Sequence, residues 1–264
     1  MNQTEMIKSR ADVRSIRRGV YVVSSALVTI MVIVMGLLVY FGVRSQNDAT
    51  AHASEKIVTN AVEHIYEQMV KPAKDYGWWD ETYEHLTLAF DSDWASENIN
   101  EYLVEDFGYG GAMVIIDQNE AIHFYLENVE SGPENFVNNP DLAFLIWQAR
   151  EQTWEEPETV SGFINVDGQI YATVVMAITA ESIPENVESL TRSVLILFND
   201  VDWVAEQIGQ IFLDRSVTAM TQDVELWPWE RMPIASATGT DLGALAWKSD
   251  RPGDIFLNKV MLPV

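Results

Sequence analysis

Cysteine is absent from all 264 residues, histidine occurs four times, and 16 Lys and Arg face 40 Asp and Glu. Without thiolates there is no disulfide frame and no Cys-based metal site. The histidines, His52, His64, His85 and His123, contain no i, i+4 pair, so the helical zinc motif is missing too. No Walker-type loop and no nucleophile elbow occurs. Gly108-Tyr109-Gly110-Gly111 lacks the third glycine of a dinucleotide fingerprint and precedes a strand pattern rather than following one. Forty carboxylates produce chance pairs such as Asp91 and Asp93, which do not by themselves make an acid–base site. No catalytic residue, metal site or cofactor is assigned. There is no internal repeat, low-complexity tract or Gly/Ser-rich linker.

The shortage of cations is uneven along the chain. Residues 1–44 hold six Lys and Arg against two Asp and Glu, net +4; the remainder holds ten against thirty-eight, net −28. A domain this acidic repels nucleic acid and anionic lipid, which excludes both as partners. Such acidity attracts a cationic ligand, and it equally serves solubility or a salty habitat.

Between the two regions lies an uncharged run of 25 residues, 19–43. At ~1.5 Å per residue it is long enough for a hydrocarbon core of roughly 30 Å. Lys8, Arg10, Arg14, Arg17 and Arg18 precede it, which places the N-terminus in the cytoplasm. Ala51-His52-Ala53 has the small-x-small form of a signal cleavage site. The apolar run far exceeds the ~7–15 residues of a signal h-region, so the segment reads as an uncleaved anchor. The expected organisation is a cytoplasmic tail (1–18), a membrane helix (19–43) and an extracytoplasmic domain (44–264).

Past the anchor, residues 45–70 read as a membrane-proximal helix. Ala51, Val58, Val62, Ile65 and Met69 form a heptad-like stripe, which is read as a homodimer seam, although packing on the chain's own domain gives the same pattern. Lys71-Pro72 is expected to interrupt or kink that helix. Helices are expected over 75–89 and 94–107, with Asp75 as the N-cap of the first. Strands follow at 113–117 and 121–126 around a turn at 118–120, then a helix over 141–152. A hairpin turning on Asp167-Gly168 joins 159–166 to 169–180, a strand covers 193–198, and a helix covers 202–213. Strands at 223–227, 241–247 and 255–262 are expected to build a smaller lobe within 200–264. The fold class is α+β: an antiparallel sheet of PAS or Cache type, with flanking helices to one side.

The aromatic content concentrates at Asp75-Tyr76-Gly77-Trp78-Trp79-Asp80-Glu81-Thr82-Tyr83. Trp is costly to leave exposed and is a common recognition anchor. Trp79-Asp80, Asp93-Trp94, Asn98 and Phe107-Gly108-Tyr109, with the late run Trp247-Lys248-Ser249-Asp250-Arg251-Pro252-Gly253, resemble the extracytoplasmic sensor domain called CHASE4 over residues 45–264. The resemblance implies signal input through the membrane, usually to a cytoplasmic enzyme of cyclic-di-GMP turnover. It places the end of the chain at the approach to a second membrane helix, so the sequence reads as the front part of a longer protein. The alternative is a single-pass tethered binding protein without its own output. An anchored hydrolase is disfavoured by the missing motifs.

Candidate ligand-binding residues are Asp75, Trp78, Trp79, Asp80, Tyr83, Trp94, Asn98, Tyr109 and Tyr125, with Trp78 and Asp80 favoured over Trp79. Aromatic faces beside a carboxylate suit an ammonium group. Trp79, Tyr83 and Leu86 share one helical face, and that spacing is equally the mark of a core. Asp80 is also placed to brace its helix through a neighbouring Trp Nε1–H or the backbone. On the expected sheet, Met113, Ile115, Tyr125, Tyr171, Thr173 and Val175 alternate onto one pocket-lining face. The expected partner is a small molecule or a periplasmic protein.

Overall fold

The computed structural model describes residues 3–106, 108–116, 121–126, 132–155, 157–182, 192–213, 216–220 and 229–261. The expected turn at 118–120, Asp117, Phe107 and the expected strand 223–227 lie outside the described residues. Two compact units are present, Met1–His52 with Asp250–Val264, and Ala53–Ser249.

Helix α1 runs Gln3–Gly77. It is the one described helix long and apolar enough to cross a membrane, and its apolar stretch is uncovered by the rest of the chain. In the first unit its companion is α7 (Pro252–Met261). A strand was expected there because Ile-Phe-Leu is a short apolar run that periodicity cannot assign. Helix wins because Pro252 sits at the first helical position, where no N–H is needed, and Asp254 faces the positive end of the helix.

In the second unit α1 passes Pro72 without ending. The chain breaks later: Trp79 is extended (φ −136°, ψ 131°), and α2 (Asp80–Tyr83) starts from its carbonyl. Asp75 is therefore an exposed residue of the last turns of α1 and caps nothing. A π-helical segment, Glu84–Leu88, continues α2, with the Ala89 N–H donating to the Glu84 carbonyl at 3.1 Å. Helix α3 (Ser92–Ala95) runs into a second π segment, Ser96–Asp106.

Strands β1 (Gly111–Ile116), β2 (Ala121–Leu126), β3 (Val160–Val166), β4 (Gln169–Ala177) and β5 (Val194–Asp200) form an antiparallel sheet in the order β2-β1-β5-β4-β3. The β3–β4 turn uses Asp167 and Gly168, both at positive φ (55° and 90°), as a tight hairpin requires. Between β2 and β3 lie α4 (Pro133–Val137) and α5 (Pro140–Arg150). After β5 come α6 (Val201–Gln207) and a third π segment, Ile208–Leu213. A second sheet, β6 (Val217–Met220), β7 (Trp229–Ala235) and β8 (Asp241–Lys248), is ordered β6-β8-β7.

The large sheet is covered on both faces rather than one. Ala112, Val114, Ala172, Val174, Leu195 and Leu197 face α1 and α6, while Met113, Ile115, Tyr171, Val175, Ile196 and Phe198 face Phe136, Leu142 and Leu145 of α4 and α5. The expected pocket-lining positions Met113, Ile115, Tyr171, Thr173 and Val175 are thus solid core, each at most 4% exposed. The expected seam on α1 is also spent internally: Val58, Val62, Ile65 and Met69 are buried against the domain's own strands and helices. A heptad stripe records only that a helix face is covered, and here the cover is intramolecular. The late Trp247 is fully buried, its Nε1–H donating to Ser54 Oγ of α1 at 3.1 Å.

The β7–β8 hairpin reaches back to the large sheet. Ala237 N–H donates to the Phe163 carbonyl at 2.9 Å. The buried Asp141 carboxylate accepts from Ser236 Oγ (2.7 Å), Thr238 Oγ1 (2.6 Å) and Thr238 N–H (3.2 Å).

Candidate functional site

The short helices after α1 continue into π segments, Glu84–Leu88 and Ser96–Asp106, and the rings carried by this stretch meet one another. Five rings run in contact. Tyr102 lies 5.9 Å from Tyr76, Tyr76 meets Trp79 edge-on at 5.8 Å, Trp79 lies 5.9 Å from Trp94, and Trp94 stacks on His85 at 5.2 Å with planes 5° apart. Tyr102 is 44% exposed, and the other four are partly exposed. Burial, reinforced by Tyr102, pushes the Tyr76 phenol up to about 12.

Asp91 organises the far end of the run. Its Oδ1 accepts from the backbone N–H groups of Asp93 (3.0 Å) and Trp94 (3.1 Å), which caps α3. Its Oδ2 lies 3.2 Å from His85 Nδ1. The Trp94 N–H bond first, then that of Asp93 and the charge of His85, hold the Asp91 carboxyl below its usual range. Residues 75–106 carry ten Asp and Glu and no Lys or Arg. Lys71 and Lys74 stand just before this segment, which keeps a large surplus of carboxylates, and such a surplus favours a cation near the rings. Among the described residues no group of His, Asp and Glu is arranged to hold a metal ion.

The run contains two of the residues singled out from sequence, Trp79 and Trp94. The others lie elsewhere. Trp78 is half-buried and packs against the core, as Tyr76 and Trp94 of the run also do. Asp80 accepts from Ser182 N–H (3.3 Å) and Ser182 Oγ (3.5 Å), so it holds the strand-end loop rather than a Trp N–H. Tyr83 is 2% exposed and meets Trp154 edge-on at 6.4 Å. Trp154 in turn carries the Arg192 guanidinium 5.0 Å from its ring centroid. Asn98 donates to the Trp94 carbonyl at 3.0 Å, one turn back. Tyr109 is buried and donates to the Gln68 carbonyl at 3.2 Å. Tyr125 pairs through its backbone with Ala112, and its side chain lies outside the described residues.

Tyr76, His85, Asp91 and Tyr102 were missed. Tyr76 stood in the quoted motif three residues before Trp79, but the helix ends between them, so helical spacing does not encode their contact. His85 and Asp91 are six residues apart across a break, a relationship no periodicity encodes.

The CHASE4 domain family matches residues 61–203. The chain belongs to the CHASE4 family. The matched region holds the latter part of α1, the whole ring run and the five-stranded sheet, and ends within α6; the three-stranded sheet lies beyond it. CHASE4 is an extracytoplasmic sensor domain, not a catalytic one, and sensing is the function the family gives this chain. No curated protein matches the chain.

Proposed function

We propose that this CHASE4 protein is the input module of a transmembrane signalling protein, and that its ring run receives a small organic cation. The N-terminal tail (1–18) is cytoplasmic, 19–43 spans the inner membrane, and 44–264 lies outside it. Lys8, Arg10, Arg14, Arg17 and Arg18, before the span, against Arg44 alone just after it, support this orientation. The output on this reading is a cytoplasmic enzyme of cyclic-di-GMP turnover. Self-association runs through the uncovered membrane helix, because the stripe at Val58–Met69 is spent in the core.

The observation that carries the ligand assignment is the run Tyr102–Tyr76–Trp79–Trp94–His85, partly exposed within a segment that has ten carboxylates and no cation. The rings touch one another, so they offer faces rather than a slot. A cation lying on an indole face gains about 0.5–2 kcal/mol per ring. Differential binding of a few kcal/mol is enough to shift a two-state receptor.

The test is tryptophan fluorescence of the full chain in nanodiscs, titrated with a panel of primary and quaternary ammonium compounds. Saturable quenching is expected, lost in Trp79→Leu with Trp94→Leu while the thermal transition stays in place. Saturation that survives this double substitution would move the site elsewhere, and a panel without any saturable response would remove the cationic-ligand reading.

A further inference from the structure

The first turn of α7 is capped in part from α1. Gly253 N–H, one of the four N–H groups a helix leaves open at its N-terminus, donates to Asn47 Oδ1 of α1 at 2.9 Å. The same amide donates through Nδ2 to Asp254 Oδ1 at 3.0 Å. Arg251 holds the other Asp254 oxygen at 3.7 Å. A single side chain of α1 thus supplies both an acceptor and a donor to the first turn of α7.

The contact is close as well as polar. A Cβ on Gly253 would lie 2.5 Å from the Val43 carbonyl oxygen and 2.8 Å from Val43 Cγ1, so no other residue fits without moving one helix. Val43 is 8% exposed beneath this contact. Val39, one turn further into the apolar span, is also partly covered, while the residues around it are exposed. α7 is the other described element of this unit. Asn47 lies four residues past the last residue of the uncharged run.

We propose that Asn47 is a joint that locks α7 to α1 at the boundary of the membrane span, so that the two helices cross that level as one rigid pair. Movement of α1 there is carried into α7, and a sliding or parting of the two must first break both amide bonds. The joint does not depend on what the ring run binds, and its failure would leave that reading untouched.

The absence of native cysteine makes the test clean. Spin labels placed by Ser45→Cys and Asn258→Cys, both exposed positions, report the α1–α7 distance in the full chain in nanodiscs. A single narrow distance distribution is expected. Asn47→Ala and, separately, Gly253→Ala should at least double its width or shift its maximum. Asn47→Asp keeps the acceptor but sets two carboxylates against each other; it should be broad at neutral pH and narrow in acid. An unaltered distribution in both Asn47→Ala and Gly253→Ala overturns the joint. So does a broad distribution in the unsubstituted chain.

Discussion

The Tyr109 hydroxyl donates to the Gln68 carbonyl, the acceptor that Pro72 leaves open in α1. In an α-helix the N–H of residue 72 would bond to that oxygen, and proline has none. The phenol from the segment before β1 donates to that carbonyl, and α1 continues past Pro72 to Gly77.

Tyr109→Phe should therefore cost about 0.5–1.5 kcal/mol, the usual net worth of a hydrogen bond. In a Pro72→Ala background residue 72 donates for itself, and the same change should cost much less. A double-mutant cycle by thermal or urea unfolding checks this. Equal losses in both backgrounds would mean that the phenol and the proline are unrelated.

The charge pair Val62→Glu with Ile65→Glu should unfold the domain rather than merely lower self-association. Both side chains are buried against the chain's own core, and isolated carboxylates there are strongly disfavoured. Loss of the cooperative thermal transition is expected. A folded, monomeric double variant would restore the stripe as an intermolecular seam.

Asp91 should make the ring run sensitive to acid. Its folded-state pKa is depressed, with the Trp94 N–H bond the largest cause. Its contribution is fully present above the ordinary carboxylate range, near pH 4, and is lost as pH falls through the lower folded-state value. Near-ultraviolet circular dichroism of the stacked Trp94 should lose intensity below that range. Asp91→Asn, which still accepts at the cap but does not titrate, should flatten the acid limb of the curve.

Asp141→Leu should loosen the β7–β8 hairpin from α5. The substitution removes a buried acceptor of three donors, at least about 3 kcal/mol by the usual worth of hydrogen bonds to a charged group. Hydrogen exchange at Thr238 and Ala237 should accelerate before exchange in β4 does. Simultaneous loss of protection in both would show that the hairpin is not a separate latch.

Ser54→Ala should leave the Trp247 indole N–H unpaired in the core and cost about 1–3 kcal/mol in urea unfolding. Ser54→Thr keeps the hydroxyl, and a loss as large as that of alanine would assign the effect to packing rather than to the bond.

Local pattern was enough for several elements. The uncharged run predicted the long apolar helix, the strand at 121–126 coincides with β2, and Asp167-Gly168 turns the β3–β4 hairpin. Each of these depends on neighbours in sequence: uninterrupted apolarity, period-two alternation, a turn that needs positive φ. Pro72 misled because the rule that proline stops a helix assumes its lost hydrogen bond stays lost. The residues at 255–262 misled because a short apolar run has no intrinsic period to separate strand from helix. The sequence favoured Trp78 over Trp79, yet it is Trp79, on an extended backbone, that joins the ring run, while Trp78, equally half-buried, packs against the core.

By itself the sequence determined an apolar span, an acidic domain beyond it, the antiparallel strands and the residues that mark the CHASE4 family, because charge, hydropathy and turn chemistry act over a few residues. Tertiary structure decided which partner covers each face. It placed the α1 stripe in the domain's own core, gave Tyr109 to the carbonyl opposite Pro72, joined His85 to Asp91 across a helix break, and set Asn47 on the first turn of α7. These are pairings between groups 6 to 207 residues apart. Their geometry is fixed by how the elements pack, and no local periodicity encodes it.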